Sequence, residues 1–153
     1  MQKVNIEPFK VIGIAVRTTN ENGQSAQDIG QLWGKFMSDD IAEKIPNKIE
    51  TDVLSIYTNY QGDHTQPYDT ILCCKVSSLE KIPEGMVGQS FDGGTYEKFV
   101  SKGDLTKGVV YGTWLEIWQK DLDRAFTADF EIYGAKAQNP TDAEVAVLVA
   151  VNE

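Results

Sequence analysis

A carboxylate and a phenol stand two positions apart in Phe130-Glu131-Ile132-Tyr133. Side chains of an extended chain alternate between faces, so Glu131 and Tyr133 share one side and Phe130 and Ile132 the other. A glutamate on the wet face of a half-buried strand needs no partner. On the buried face it loses its water and must be compensated by hydrogen bonds or by a cation. Aromatic residues favour the second arrangement, because Trp33, Tyr57, Phe91, Tyr96, Trp114, Trp118 and Tyr133 fall on elements that a repeat in the chain directs toward one seam. Ring faces are each worth about 0.5–2 kcal/mol toward a cation, and a carboxylate adds charge complementarity. An organic cation is the ligand class that such a set selects. Trp33 and Trp114 also fit plain core positions on amphipathic helices.

Other reactive residues form no constellation. His64, the single histidine, lies in Gly62-Asp63-His64-Thr65-Gln66-Pro67, which reads as a solvated hairpin loop without a matching acid or nucleophile. The adjacent Cys73 and Cys74 point to opposite faces of a strand and do not easily bridge each other, which predicts a reduced, cytoplasmic chain. One histidine and these cysteines cannot build a four-ligand zinc site. Gly85, Gly88 and the Gly93-Gly94 pair lack the strand-to-helix context of a phosphate loop and read as turn or bulge glycines. No catalytic residue, metal ligand or cofactor site is assigned.

The elements that must position Glu131 lie in a chain of 153 residues with 41% hydrophobic content, enough for one core, and residues 1–153 read as a single domain. The 14 basic and 23 acidic residues leave a net charge of -9, which repels phosphate backbones and anionic lipid and attracts cations. Direct nucleic-acid and membrane binding are not expected. The first ten residues carry no apolar signal core, and no apolar run approaches the ~20 residues that span a bilayer.

Residues 4–19 read as a β-branched strand. Ile29, Leu32, Trp33, Phe36 and Met37 then make one helical stripe, with Ser25 as its cap. Ser38-Asp39-Asp40 caps a short second helix, and strands over 52–60 and 68–77 complete the unit. The second half repeats this order: a strand over 86–99, a helix over 106–122, and strands over 128–136 and 144–151. Val11-Ile12-Gly13 aligns with Met86-Val87-Gly88 at an offset of 75, and Ser55-Ile56-Tyr57 with Glu131-Ile132-Tyr133 at 76. The expectation is an α+β fold of duplicated strand-helix-strand-strand units, residues 1–80 and 84–153, with antiparallel sheets and a ligand pocket between the halves.

Three segments carry a resemblance over nearly the whole chain: Phe91-Asp92-Gly93-Gly94-Thr95-Tyr96, Val110-Tyr111-Gly112-Thr113-Trp114-Leu115-Glu116-Ile117-Trp118, and Phe130-Glu131-Ile132-Tyr133. In their order and spacing the chain resembles the GyrI-like, or AraC-type effector-binding, small-molecule-binding domains. That resemblance implies a pocket at the interface of the repeats with Glu131 at its base. It also implies pocket roles for Phe91 and Tyr96, as in multidrug-sensing members, and for Trp33 on the first helix. Members that regulate transcription carry a separate DNA-binding domain; none is expected here, and the chain is similar to a stand-alone, integron-cassette-type form.

The leading reading is non-catalytic binding of small amphipathic, cationic organic molecules by Glu131, Tyr133, Phe91, Tyr96, Trp33, Tyr57 and Trp114. A second reading, also implied by the resemblance, is a hydrolase of electrophilic small molecules using Glu131 and Tyr133; a carboxyl in an apolar pocket has the raised pKa that general acid-base chemistry needs. A third, implied by the resemblance through gyrase-modulating members, is a protein-interaction module acting on a partner such as gyrase.

Overall fold

The computed structural model describes residues 2–152, and their strands form one eight-stranded antiparallel sheet. In chain order the strands are β1 (Gln2–Ile6), β2 (Phe9–Thr18), β3 (Val53–Thr58), β4 (Tyr68–Val76), β5 (Val87–Phe91), β6 (Gly94–Gly103), β7 (Ala128–Tyr133) and β8 (Ala143–Ala150). Across the sheet they run β1-β6-β8-β7-β3-β4-β2-β5. The helices are α1 (Gln24–Ser38), the single turn α2 (Ile41–Lys44) and α3 (Val109–Gln119). No helix among the described residues is long and apolar enough to cross a membrane.

The strands expected over 4–19 and 86–99 are each broken in two, at Glu7-Pro8 and at Asp92-Gly93. Proline removes a ladder donor at the first break. At the second, Gly93 has φ 76°, and a Cβ there would lie 2.1 Å from the Ile6 carbonyl oxygen. Each break sends the chain from one end of the sheet to the other, so β1 pairs with β6 and β5 with β2. A two-residue link spans only about 10 Å, so the sheet must curl until its ends meet at this corner.

The exchange corrects one alignment of the repeat. Gly13 and Val87 are cross-strand neighbours, not counterparts. The counterpart of β2 is β6, 85 positions on from Phe9 to Gly94. Ser55 and Glu131 keep their offset of 76 and also face each other in the register. Walking outward from that pair, Ser55 leads to Leu72 and Ile14 on one side, and Glu131 to Val147 and Phe99 on the other. The central pair therefore lies on the pseudo-two-fold axis of the sheet, and the seam between halves is a hydrogen-bonded strand pair rather than a gap.

The two faces have different fillings. Inside the curl, Phe9 stacks on Phe91 at 5.1 Å, and Phe130 packs edge-on against Phe9 and Tyr96 at 5.6 and 5.4 Å. Outside, Leu32 and Phe36 of α1 cover Ile12, Ile14 and Leu72, while Trp114 and Ile117 of α3 cover Val147 and Val149. Cys73 belongs to the inner cluster and Cys74 to the outer one, both as free thiols. Met37, expected on the buried stripe of α1, is 66% exposed near the end of the helix. Ser25 does not cap α1: the capping residue is Gly23 in the left-handed conformation. α3 is shorter than the expected 106–122, because Gly108, also left-handed, separates it from the preceding turn.

Candidate functional site

β7 carries Asp129, Glu131 and Tyr133 on the outer face, where α1 and α3 flank the seam; Phe130 and Ile132 take the inner side. Glu131 is 2% exposed. Its Oε2 accepts from the Tyr57 hydroxyl and from Trp114 Nε1, each at 2.7 Å, and its Oε1 accepts from the Tyr133 hydroxyl at 2.5 Å. These donors are all neutral. Burial raises the Glu131 carboxyl above its ordinary range, and the bonds from Tyr133, Tyr57 and Trp114 oppose that rise only in part. Burial and the neighbouring carboxylate push the Tyr57 and Tyr133 phenols far up, so both remain donors. The Ser55 hydroxyl lies directly across the strand pair and is buried.

Two residues away, Asp129 accepts from Arg124 Nη2 at 2.7 Å, from the Tyr60 hydroxyl at 2.5 Å and from the Ala150 backbone N–H at 2.8 Å. Burial raises its pKa, with Arg124 foremost among the groups that lower it.

Two cavities open on this face, one on each side of the Glu131 cluster. The first, of about 100 Å³, is walled by Tyr57, Tyr60, Tyr68, Trp114 and Trp118 and rimmed by Asn20, Ser25, His64 and Arg124. The second, of about 430 Å³, is lined by Trp33, Met37, Val53, Val110 and Tyr133 among others, and Tyr111 borders both. Glu131 lies behind the aromatic partition: Tyr57 and Trp114 face the first cavity and Tyr133 the second. Trp33 meets Tyr133 edge-on at 5.0 Å, and Tyr57 meets Trp114 edge-on at 5.6 Å.

Of the residues expected at the site, Glu131, Tyr133, Tyr57, Trp114 and Trp33 are brought together. Phe91 and Tyr96 are not. They lie on the other side of the sheet in the inner cluster and border neither cavity, because the register of β5 on β2 and of β6 on β8 turns them inward. His64 is not a free loop residue: its ring stacks on Trp118 at 5.1 Å with planes 10° apart, and Asn20 Nδ2 donates to its carbonyl at 2.8 Å. Tyr60, Tyr68, Arg124 and Asp129 were missed as site residues. Asp129 alone had a signal, since it shares the two-residue alternation of Glu131 and Tyr133.

A curled antiparallel sheet with two helices flanking an aromatic-walled cleft defines a small-molecule effector-binding domain of GyrI-like fold. Within that class, the chain belongs to the integron-associated effector binding protein family, whose model matches residues 4–151. The crystal structure of an integron cassette protein from the mobile metagenome of Vibrio cholerae is 32% identical, covers 99% of this chain and 95% of its own, and superposes with a TM-score of 0.77. A putative transcriptional regulator, YobU of Bacillus subtilis (strain 168), is 28% identical over 156 residues, 92% of this chain and 91% of its own length. At 13% identity the likeness to SAV2435, solved bound to tetraphenylphosphonium, is one of fold, with a TM-score of 0.80 over 99% of this chain and 93% of that one. Small-molecule binding is the activity that this membership assigns.

Proposed function

We propose that the ligand is an amphipathic aromatic cation, held in the cleft between α1 and α3 with its charge toward Glu131. The observation that carries the reading is the Glu131 environment: a buried carboxylate with three neutral donors and, among the described residues, no basic side chain bonded to it. An ionised carboxylate there is solvated but not neutralised, and a cation entering the cleft completes it. Tyr57, Trp114, Tyr133 and Trp33 supply the ring faces. The first cavity is small for a drug-sized molecule, which needs ~300 Å³ or more, so the ligand occupies the second or displaces the rings between the two. The fold relative SAV2435 was solved with a lipophilic cation, which agrees with this class of ligand.

Titration with tetraphenylphosphonium tests the reading. Wild type should bind saturably, and Glu131→Gln should lose at least about tenfold in affinity, a difference of ~1.4 kcal/mol. Equal affinities would sink the proposal.

The 2.5 Å bond from Tyr133 to Glu131 supports a second reading, hydrolysis of a strained electrophile, since a carboxyl of raised pKa beside a phenol suits acid-base work. Epoxide turnover that vanishes in Glu131→Gln while binding persists would establish it. An absence of turnover across an epoxide panel would remove it.

A further inference from the structure

Among the described residues, Arg124 and the half-buried His64 are the basic side chains bordering the first cavity. The Arg124 side chain is 7% exposed, and only Nη2 is engaged, by Asp129. Nη1 and Nε are buried and have no hydrogen-bond partner among the described residues. A guanidinium has five N–H donors that only acceptors can satisfy, so a cavity-lining arginine with two nitrogens unpaired is a place where an incoming acceptor group would be favoured.

The surroundings hold this guanidinium in place. Its central carbon sits 4.3 Å from the Phe126 ring centroid and 5.9 Å from that of Trp114. Phe126 adopts φ 54°, a left-handed conformation that a bulky residue takes only where the fold compels it. The backbone just before it is tied to the end of β8 and the residue beyond, through the bond from Ala125 N–H to the Ala150 carbonyl at 2.9 Å and the Arg124–Val151 bridge. Strained backbone, ring stacking and ion pair together fix a charge whose bond to Asp129 needs only one of its nitrogens.

Resting on the cationic-ligand reading, we infer that the cleft has a second, opposite pole: as the ligand displaces the rings between the two cavities, Arg124 Nη1 donates to an anionic or strongly hydrogen-bond-accepting group of it. The preferred ligand is then a zwitterionic aromatic molecule, with its cation toward Glu131 and a carboxylate at Arg124. Trp114 lies between the poles, donating its indole N–H to Glu131 while its ring faces the guanidinium.

A matched pair of rhodamine dyes tests this: the ethyl ester, a pure cation, and its free acid, which adds a carboxylate to the same ring system. Fluorescence titration of wild type should find the free acid bound about tenfold more tightly than the ester, as a charge-assisted hydrogen bond implies. In Arg124→Lys, whose ammonium still neutralises Asp129 but lacks the planar fork, the preference should fall toward unity. Wild type binding the ester as tightly as the acid overturns the second pole and leaves the Glu131 reading standing. A preference that survives unchanged in Arg124→Lys also overturns it. If neither dye binds, both the pole and the cationic reading fail.

Discussion

Asp129 and Glu131 are two residues apart on one strand, on one face, both buried, and their surroundings are opposite. Asp129 has a guanidinium, a phenol and a backbone N–H, so its charge is neutralised within the fold. Glu131 has two phenols and an indole, which bond it without neutralising it. Burial alone does not mark a ligand site. What separates the two is the sign of the nearest partner: a completed ion pair is structural, while a carboxylate among neutral donors retains a charge for something else to meet.

The comparison breaks most sharply at Asp129. Asp129→Asn leaves the Arg124 guanidinium buried without its counter-ion and should cost about 3–5 kcal/mol in a urea-denaturation measurement. Glu131→Gln at neutral pH should be as stable as wild type or more so, since the amide can keep the Tyr57, Trp114 and Tyr133 bonds and removes an uncompensated charge. If both substitutions destabilise equally, the distinction between the two carboxylates is wrong.

pH sharpens it next. The fold raises the Glu131 carboxyl above its ordinary value of 4.5, so its contribution to stability is full below 4.5 and is lost as pH rises through the raised value. Wild type minus Glu131→Gln, followed by thermal unfolding across that window, should decline with pH. Affinity for tetraphenylphosphonium, which does not titrate, should climb over the same window as the carboxylate forms. The smallest effect belongs to Tyr133→Phe. Loss of that donor should cost about 1 kcal/mol and move the midpoint of the affinity curve to higher pH. A midpoint that stays put would show that Tyr133 does not stabilise the ionised form.

Much of this was legible in order and alternation. The α+β class, the repeated order of strands and helices and the shared face of Glu131 and Tyr133 follow from period-2 and period-3.6 patterning, which is local. The breaks at Glu7-Pro8 and Asp92-Gly93 were harder to see, because apolar alternation runs through both and only the closing of the sheet requires the chain to cross there. The mismatched offset of the first strand follows from the same exchange. His64 read as free because nothing in its loop reveals that Trp118, 54 positions on, stacks against it.

The sequence by itself determined which residues of β7 share a face, and that Glu131 among them is a carboxylate where the first half has Ser55. Tertiary structure alone decided which aromatics join it. Alternation sets the relative side of residues within a strand, whereas the side that two strands share depends on long-range register and on the curl of the sheet. That is why Tyr57 and Trp114 meet Glu131 while Phe91 and Tyr96 turn inward. Charge followed the same rule: the acidic residues are visible in the sequence, but which of them finds an arginine is decided by a chain turn at 122–126 that brings Arg124 to Asp129 and, among the described residues, leaves Glu131 without a cation.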